Sequence, residues 1–104
     1  MTIKNLVDKL DATIINLPEP DRVISSGYCG DFLSFVMGKA ENNCMWFTIM
    51  NNVNVCAVAS LADVGVIVLC EGVKPDKLLA EKAKEKGINL ILTELPIFEA
   101  VKKL

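Results

Sequence analysis

The side chains best suited to hold a small molecule lie in or beside four short stretches, Gly27–Asp31, Met50–Asn54, Cys70–Lys74 and Thr93–Pro96. Each stretch follows a segment with the pattern of a β-strand. In a parallel sheet the carboxyl ends of the strands meet at one edge, where ligands bind. The carboxylates, amides and hydroxyls there can form hydrogen bonds and offer little positive charge. The predicted ligand-binding residues are Asp31, Thr48, Asn51, Asn52, Asn54, Glu71, Gly72 and Thr93.

Several of these residues also have an ordinary structural explanation. Asp31 and Asn54 precede predicted helices and are good N-caps, each worth about 1 kcal/mol. Asn51 and Asn52 are common turn residues, and Gly72 permits a tight backbone turn. The group therefore predicts a polar pocket but does not identify a ligand.

Four cysteines, Cys29, Cys44, Cys56 and Cys70, occur without a CxxC pair, and the chain has no histidine. Metal sites usually show closely spaced ligands, so we expect no metal and four free thiols packed as small apolar groups. Cys29 precedes a predicted helix, whose dipole would lower the pKa of its thiol. Cys70 ends a predicted strand beside the same crevice. These two thiols also suggest an interpretation that is less favoured than the others, a cysteine-based redox or metal protein.

The motifs of common enzyme mechanisms are absent from the sequence. It has no GxxxxGK[ST] phosphate loop, no GxSxG elbow, no HExxH and no GxGxxG after a strand. Glu71 and Glu94 could serve as an acid and a base, but no pattern places a substrate between them. We therefore expect a protein that is not an enzyme and that carries no cofactor.

The elements that must position these residues alternate along the chain. Residues 55–62 fit a strand as well as a helix, and the need for a crossover between parallel strands favours a helix. Thr2 is the predicted N-cap of the first helix, Pro75 falls in the first turn of the fourth, and Gly87 ends that helix in the left-handed conformation. The predicted helices are 3–10, 32–37, 55–62, 76–86 and 96–104, and the predicted strands are 13–17, 22–26, 44–50, 65–70 and 88–92.

This alternation indicates right-handed βαβ units. The predicted fold is a three-layer α/β/α domain with a mostly parallel sheet of about five strands. We expect one domain over residues 1–104, of which residues 1–12 form the N-terminal helix.

Composition and charge exclude several classes of protein. Apolar residues make up 52% of the chain and charged residues 23%, as in globular proteins. The net charge is −2 and the basic residues form no stripe, which argues against nucleic-acid binding. No apolar run reaches the length of about 18 residues that a membrane span requires, and the N-terminus lacks the pattern of a signal peptide. We therefore expect a cytoplasmic protein with no membrane partner.

Gly27 to Leu104 resembles the DRTGG domain family and the related N-terminal domain of HPr kinase/phosphorylase. The matching residues are Asp31–Ser34, Trp46–Ile49, Asn54–Leu61, Gly72, Pro75, Ala83, Gly87-Ile88, Thr93 and Phe98–Ala100. The aspartate–arginine pair that gives the family its name falls at Asn51-Asn52. Its threonine–glycine–glycine falls at Cys70-Glu71-Gly72, so only Gly72 is retained.

The resemblance implies an accessory module and not a kinase, because the P-loop catalytic domain of HPr kinase has no counterpart here. Related domains contribute to self-association in regulated enzymes. The leading hypothesis is a regulatory module that forms a homodimer and binds a small metabolite or nucleotide at the strand ends. The alternative is a subunit that docks on a larger enzyme and has no small ligand.

Overall fold

The computed structural model describes residues 1–104 and contains five helices and five strands. The helices are α1 (Ile3–Leu10), α2 (Leu33–Lys39), α3 (Asn54–Leu61), α4 (Lys77–Lys86) and α5 (Ile97–Lys102). The strands are β1 (Thr13–Asn16), β2 (Ser26–Cys29), β3 (Cys44–Thr48), β4 (Val66–Leu69) and β5 (Leu90–Leu92). None of the helices has the length and apolar character needed to cross a membrane.

The strands form one sheet in the order β1-β5-β4-β3-β2. Strands β2 to β5 are parallel, and β1 joins β5 in the antiparallel direction. This arrangement confirms the predicted α/β architecture with its mostly parallel sheet. Because four consecutive parallel strands lie side by side, their carboxyl ends form one edge, and β2 and β1 are the two outer strands.

Two apolar clusters cover the two faces of the sheet. On one face, residues of α2, α3 and α4 pack against Trp46, Ile67 and Leu90. On the other face, α1 and α5 pack against Phe47, Val68 and Ile91. All four residues of β4 are buried, which explains why its sequence is an unbroken apolar run.

Two of the predicted helix ends are confirmed. Thr2 and Asn5 form a reciprocal capping box at the start of α1, since each side chain bonds the backbone N–H of the other residue, at 3.1 and 3.0 Å. Gly87 ends α4 with φ 67°, in the left-handed region that glycine adopts without a steric penalty. Residues 54–61 form a helix, which confirms the helix favoured over a strand for residues 55–62.

The second strand begins later in the sequence than predicted. The sequence predicted residues 22–26, with Gly27 as a breaker, whereas β2 is Ser26–Cys29 and includes that glycine. Arg22 is instead held in a loop by Asn43, Glu19 and Asp63, at 2.6 to 3.4 Å. Because an outer strand packs few side chains, it tolerates a glycine that an inner strand would not.

Three predicted helix starts were also wrong. Asp31 does not cap α2, which begins after Phe32 without a side-chain cap. Asn54 is the first residue of α3 and not its N-cap. Pro75 lies before α4, because the N–H of Asp76 donates to the carbonyl of Asn51 and holds this segment in a loop.

Candidate functional site

The predicted binding residues lie at the carboxyl edge of the sheet. Asp31 follows β2, Thr48 ends β3, and Thr93 follows β5. The loops after β3 and β4 and the first residue of α3 supply the remaining residues, which are Asn51, Asn52, Glu71, Gly72 and Asn54. Hydrogen bonds divide this edge into two parts, one around the end of β3 and one around the ends of β4 and β5.

Asp31 fixes the end of β3. One of its carboxylate oxygens accepts hydrogen bonds from the hydroxyl of Thr48 at 2.7 Å and from the N–H of Ile49 at 3.0 Å. The same hydroxyl accepts from the N–H of Met50 at 3.1 Å. Thr48 is fully buried. Since its hydroxyl has no access to a substrate, this pair orders two loops and is not a nucleophile with its base.

The three asparagines lie in the loop after β3 and at the start of α3. Asn51 donates from its side chain to the carbonyl of Lys74 at 2.9 Å, which ties this loop to the one after β4. The side chain of Asn52 accepts from the N–H of Asn54 at 2.9 Å. The side chain of Asn54 itself is exposed. This part of the edge therefore presents neutral amides to solvent.

The loops after β4 and β5 are joined by their backbones. The N–H of Glu71 donates to the backbone carbonyl of Leu95 at 2.9 Å, and the N–H of Gly72 donates to the backbone carbonyl of Thr93 at 3.0 Å. Glu71 and Gly72 both have a positive φ, 63° and 68°. The carboxylate of Glu94 lies so close to Gly72 that a Cβ there would clash with it. This position therefore favours glycine chiefly for its backbone conformation, because the exposed side chain of Glu94 can move aside.

A cavity of about 290 Å³ opens beside Thr93. Its lining includes Lys9 and Asp11 from the end of α1, Glu94 from the loop after β5, and Lys103 beyond α5. Of the predicted binding residues, Thr93 alone lines it. The sequence analysis missed Lys9, Asp11 and Lys103, because the packing of α1 and α5 on this face brings them to the sheet edge and no local pattern indicates that contact.

Two other cavities lie away from this edge. One, of about 200 Å³, is between the ends of α3 and α4 and the start of β5, and includes Arg22, Ser60 and Lys86 in its lining. The other, of about 320 Å³, lies between β1 and α4 and is lined by Ile14, Ile15, Ala80, Glu81 and Lys84.

The cysteine thiols have raised pKa values. Burial raises the pKa of Cys44 and Cys56, and it raises the pKa of Cys70 to about 12. Cys29 is the exposed one, and loss of water around its thiol raises its pKa as well. The expectation that a helix dipole lowers the pKa of Cys29 was therefore wrong. No group of three or more metal-ligating side chains is clustered closely enough to hold a metal ion.

Comparison with known proteins identifies the fold. No protein-family model and no curated protein sequence matches the chain. Among solved structures it is similar to the CBS and DRTGG domains of the regulatory region of Clostridium perfringens pyrophosphatase, complexed with the activator diadenosine tetraphosphate. The TM-score is 0.77 at 19% identity, and the match covers 97% of this chain and 44% of the other. The chain thus spans less than half of that regulatory region. The match supports a DRTGG-like fold.

Proposed function

We propose that this chain is a non-enzymatic regulatory module that self-associates and binds a small metabolite or nucleotide at the carboxyl edge of its sheet. The observation that carries the proposal is the convergence of the predicted binding residues on one edge, beside a cavity lined by two lysines and two carboxylates. A cavity of about 290 Å³ is near the lower limit for ligand sites, so it suits a small ligand or one end of a larger one.

The two parts of the edge offer different chemistry. The cavity offers charged groups of both signs, since Lys9 and Lys103 lie in its lining together with Asp11 and Glu94. The exposed amide of Asn54, with the free groups of Asn51 and Asn52, can both donate and accept hydrogen bonds. A ligand that combines an anionic group with a polar ring or sugar would use both. A nucleotide has this chemistry, and the similar pyrophosphatase region is a regulatory one that was crystallised with a nucleotide activator.

The proposal includes kinship with the N-terminal domain of HPr kinase/phosphorylase and a location in the cytoplasm, both inferred from the sequence. The similar domains belong to the regulatory region of a larger enzyme. That context also favours the second candidate function, a subunit that docks on an enzyme without a ligand of its own.

Native mass spectrometry of the protein as isolated, compared with the same sample denatured, tests the proposal. We expect a mass that exceeds the subunit mass by a non-covalent adduct, and a species of two subunits. A bare protein that also gives no thermal shift with a panel of nucleoside mono-, di- and triphosphates would contradict the ligand-binding part and favour enzyme docking.

A pair of variants then locates the ligand. Asn54→Ala removes an exposed amide at the proposed edge, and we expect it to weaken binding of the identified nucleotide by about fivefold or more, the equivalent of one hydrogen bond. Ser60→Ala changes an exposed polar residue near the other end of the same helix and should leave the affinity unchanged. Equal effects of both variants would place the ligand elsewhere.

A further inference from the structure

The cavity beside Thr93 has charged side chains of both signs in its lining, and none of them is paired. Lys9 and Asp11 come from the end of α1, Glu94 from the loop after β5, and Lys103 from beyond α5. The four ion pairs of the structure all lie elsewhere. Residues two positions apart on a helix, such as the first two of these, do not face each other. The four charged groups are therefore free to contact a ligand.

The wall of the cavity contains a buried hydroxyl without a well-formed acceptor. Thr93 is only 2% exposed, and it lies in the lining. Its hydroxyl donates to the carbonyl of Leu10 at 3.5 Å, well beyond the usual distance of about 2.7–2.8 Å. The same hydroxyl accepts from the N–H of Leu95 at 3.2 Å. Since buried polar groups normally have a close partner, this hydroxyl has the capacity to bond a ligand in the cavity.

The end of α1 adds carbonyl groups that no backbone N–H uses. The N–H groups of the two residues after this helix donate to the carbonyls of Val7 and Asp8, so those of Lys9 and Leu10 have no backbone donor. Both of the latter residues line the cavity. Free carbonyls at the end of a helix carry partial negative charge and attract cations. A cationic group therefore has acceptors here in addition to the two carboxylates.

The balance of charge at the cavity favours a ligand that carries both signs. Two lysines and two carboxylates give the lining no net charge. A chain of phosphates would be attracted by the lysines and repelled by the carboxylates and by the end of α1. A zwitterion places its anionic group at the lysines and its cationic group at the carboxylates, so that every contact is a charge-assisted one.

The size of the cavity and the rest of its lining narrow the choice of ligand. Its volume of about 290 Å³ is at the lower limit for ligand sites. Leu10 and Leu95 complete the lining and provide a small apolar wall. An α-amino acid combines an ammonium group, a carboxylate and a short side chain in a molecule of this size.

We infer that the cavity beside Thr93 binds an α-amino acid. Lys9 and Lys103 contact its carboxylate, and its ammonium group contacts Asp11, Glu94 and the free carbonyls of α1. This inference rests on the ligand-binding part of the proposed function and selects, for this cavity, a small zwitterionic metabolite over a nucleotide. For so small a ligand a dissociation constant below about 1 mM is expected.

Isothermal titration calorimetry of the full chain with the standard α-amino acids, at up to about 5 mM, tests the inference. We expect at least one of them to bind. Its α-amide lacks the negative charge, and the matching 2-hydroxy acid lacks the positive charge, while both have nearly the size of the amino acid. Each analogue should bind at least about tenfold more weakly. Equal binding of the amino acid and both analogues would show that the site does not recognise a zwitterion.

Two pairs of variants locate the ligand. Asp11 has φ 49°, a left-handed conformation that asparagine also adopts, so Asp11→Asn removes the charge without new strain. Asp63 has φ 52° and lies outside this cavity, so Asp63→Asn is its control. Lys103→Gln is paired with Lys102→Gln, an exposed neighbour that does not line the cavity. The two cavity variants should weaken binding at least about fivefold, and the two controls less than about twofold.

The outcomes distinguish this inference from the proposed function. A chain that binds nucleotides and no amino acid would refute the inference and leave ligand binding supported. A chain that binds neither class would refute the ligand-binding part of the proposed function and the inference with it. Amino-acid binding that is unchanged in Asp11→Asn and Lys103→Gln would place the ligand outside this cavity and refute the inference alone.

Discussion

At the scale of single residues, the contact between Gly72 and Glu94 shows how the strand-end loops are held. Glu94 places its carboxylate against the backbone of Gly72, which has φ 68°. Gly87 has nearly the same φ, 67°, but open space where a Cβ would lie. The two glycines therefore separate the cost of backbone conformation from the cost of a clash.

We expect Gly87→Ala to lower the free energy of unfolding by about 1 kcal/mol, because only the left-handed conformation is penalised. Gly72→Ala should cost slightly more, about 1–2 kcal/mol, because the added methyl group must also displace the exposed carboxylate of Glu94. In the Glu94→Ala background the cost of Gly72→Ala should fall to about 1 kcal/mol. Urea unfolding of the four variants measures these values. Equal costs for Gly72→Ala in both backgrounds would show that Glu94 does not fill this space.

The hydrogen-bond partners of single residues do not follow from the local sequence. Asp31 and Asn54 were assigned as helix caps on residue type and position alone. Asp31 instead bonds Thr48 and Ile49, which are 17 and 18 residues away, and no local pattern encodes a partner at that distance. The side chain of Asn54 is exposed and caps no helix. The type of residue indicated that Asp31 would accept hydrogen bonds, but not from which partners.

At the scale of elements, Asp31 connects the loop between β2 and α2 to the end of β3. Removing its carboxylate leaves the buried hydroxyl of Thr48 without an acceptor and frees the N–H of Ile49. We expect Asp31→Ala to lower the free energy of unfolding by about 2 kcal/mol, the cost of such an unsatisfied group. Urea unfolding gives the value, and hydrogen exchange should show faster exchange at Ile49.

Asp21→Ala provides the control, because Asp21 is an exposed aspartate in the loop before β2. Its effect should remain within about 0.5 kcal/mol. If the two substitutions cost the same, the bond between Asp31 and Thr48 does not hold the two loops together.

The elements with a strong sequence pattern were predicted correctly. The positions of the other features depend on the elements that pack beside them. The all-apolar run of β4 and the capped ends of α1 and α4 were recognisable from sequence. β2 was not, because its side chains pack little and its position depends on pairing with β3. The cavity at Thr93 was not predictable for a similar reason. It exists only because α1 and α5 lie on the face of the sheet opposite α2, α3 and α4.

At the scale of the whole molecule, the buried thiols link stability to alkaline pH. The pKa of Cys70 is raised to about 12 in the folded chain, whereas an unfolded thiol titrates near 8.5. The folded state therefore holds more protons than the unfolded state between these values. The stability from the buried neutral thiol is fully present below pH 8.5 or so and is lost as the pH rises toward 12.

We expect the free energy of unfolding to fall above about pH 8.5, with Cys70 contributing a slope of at most about 1.4 kcal/mol per pH unit. Burial also raises the pKa values of the other three thiols, so the informative quantity is the difference between wild type and Cys70→Ala. At neutral pH the variant should be less stable than wild type, because the substitution leaves a small void. The difference in free energy of unfolding between the two proteins should decrease as the pH rises, because only wild type has a thiol at this position that can ionise. Urea unfolding at pH 7, 8, 9 and 10 measures it. Parallel curves for the two proteins would mean that Cys70 reaches solvent in the folded chain and titrates as an ordinary thiol.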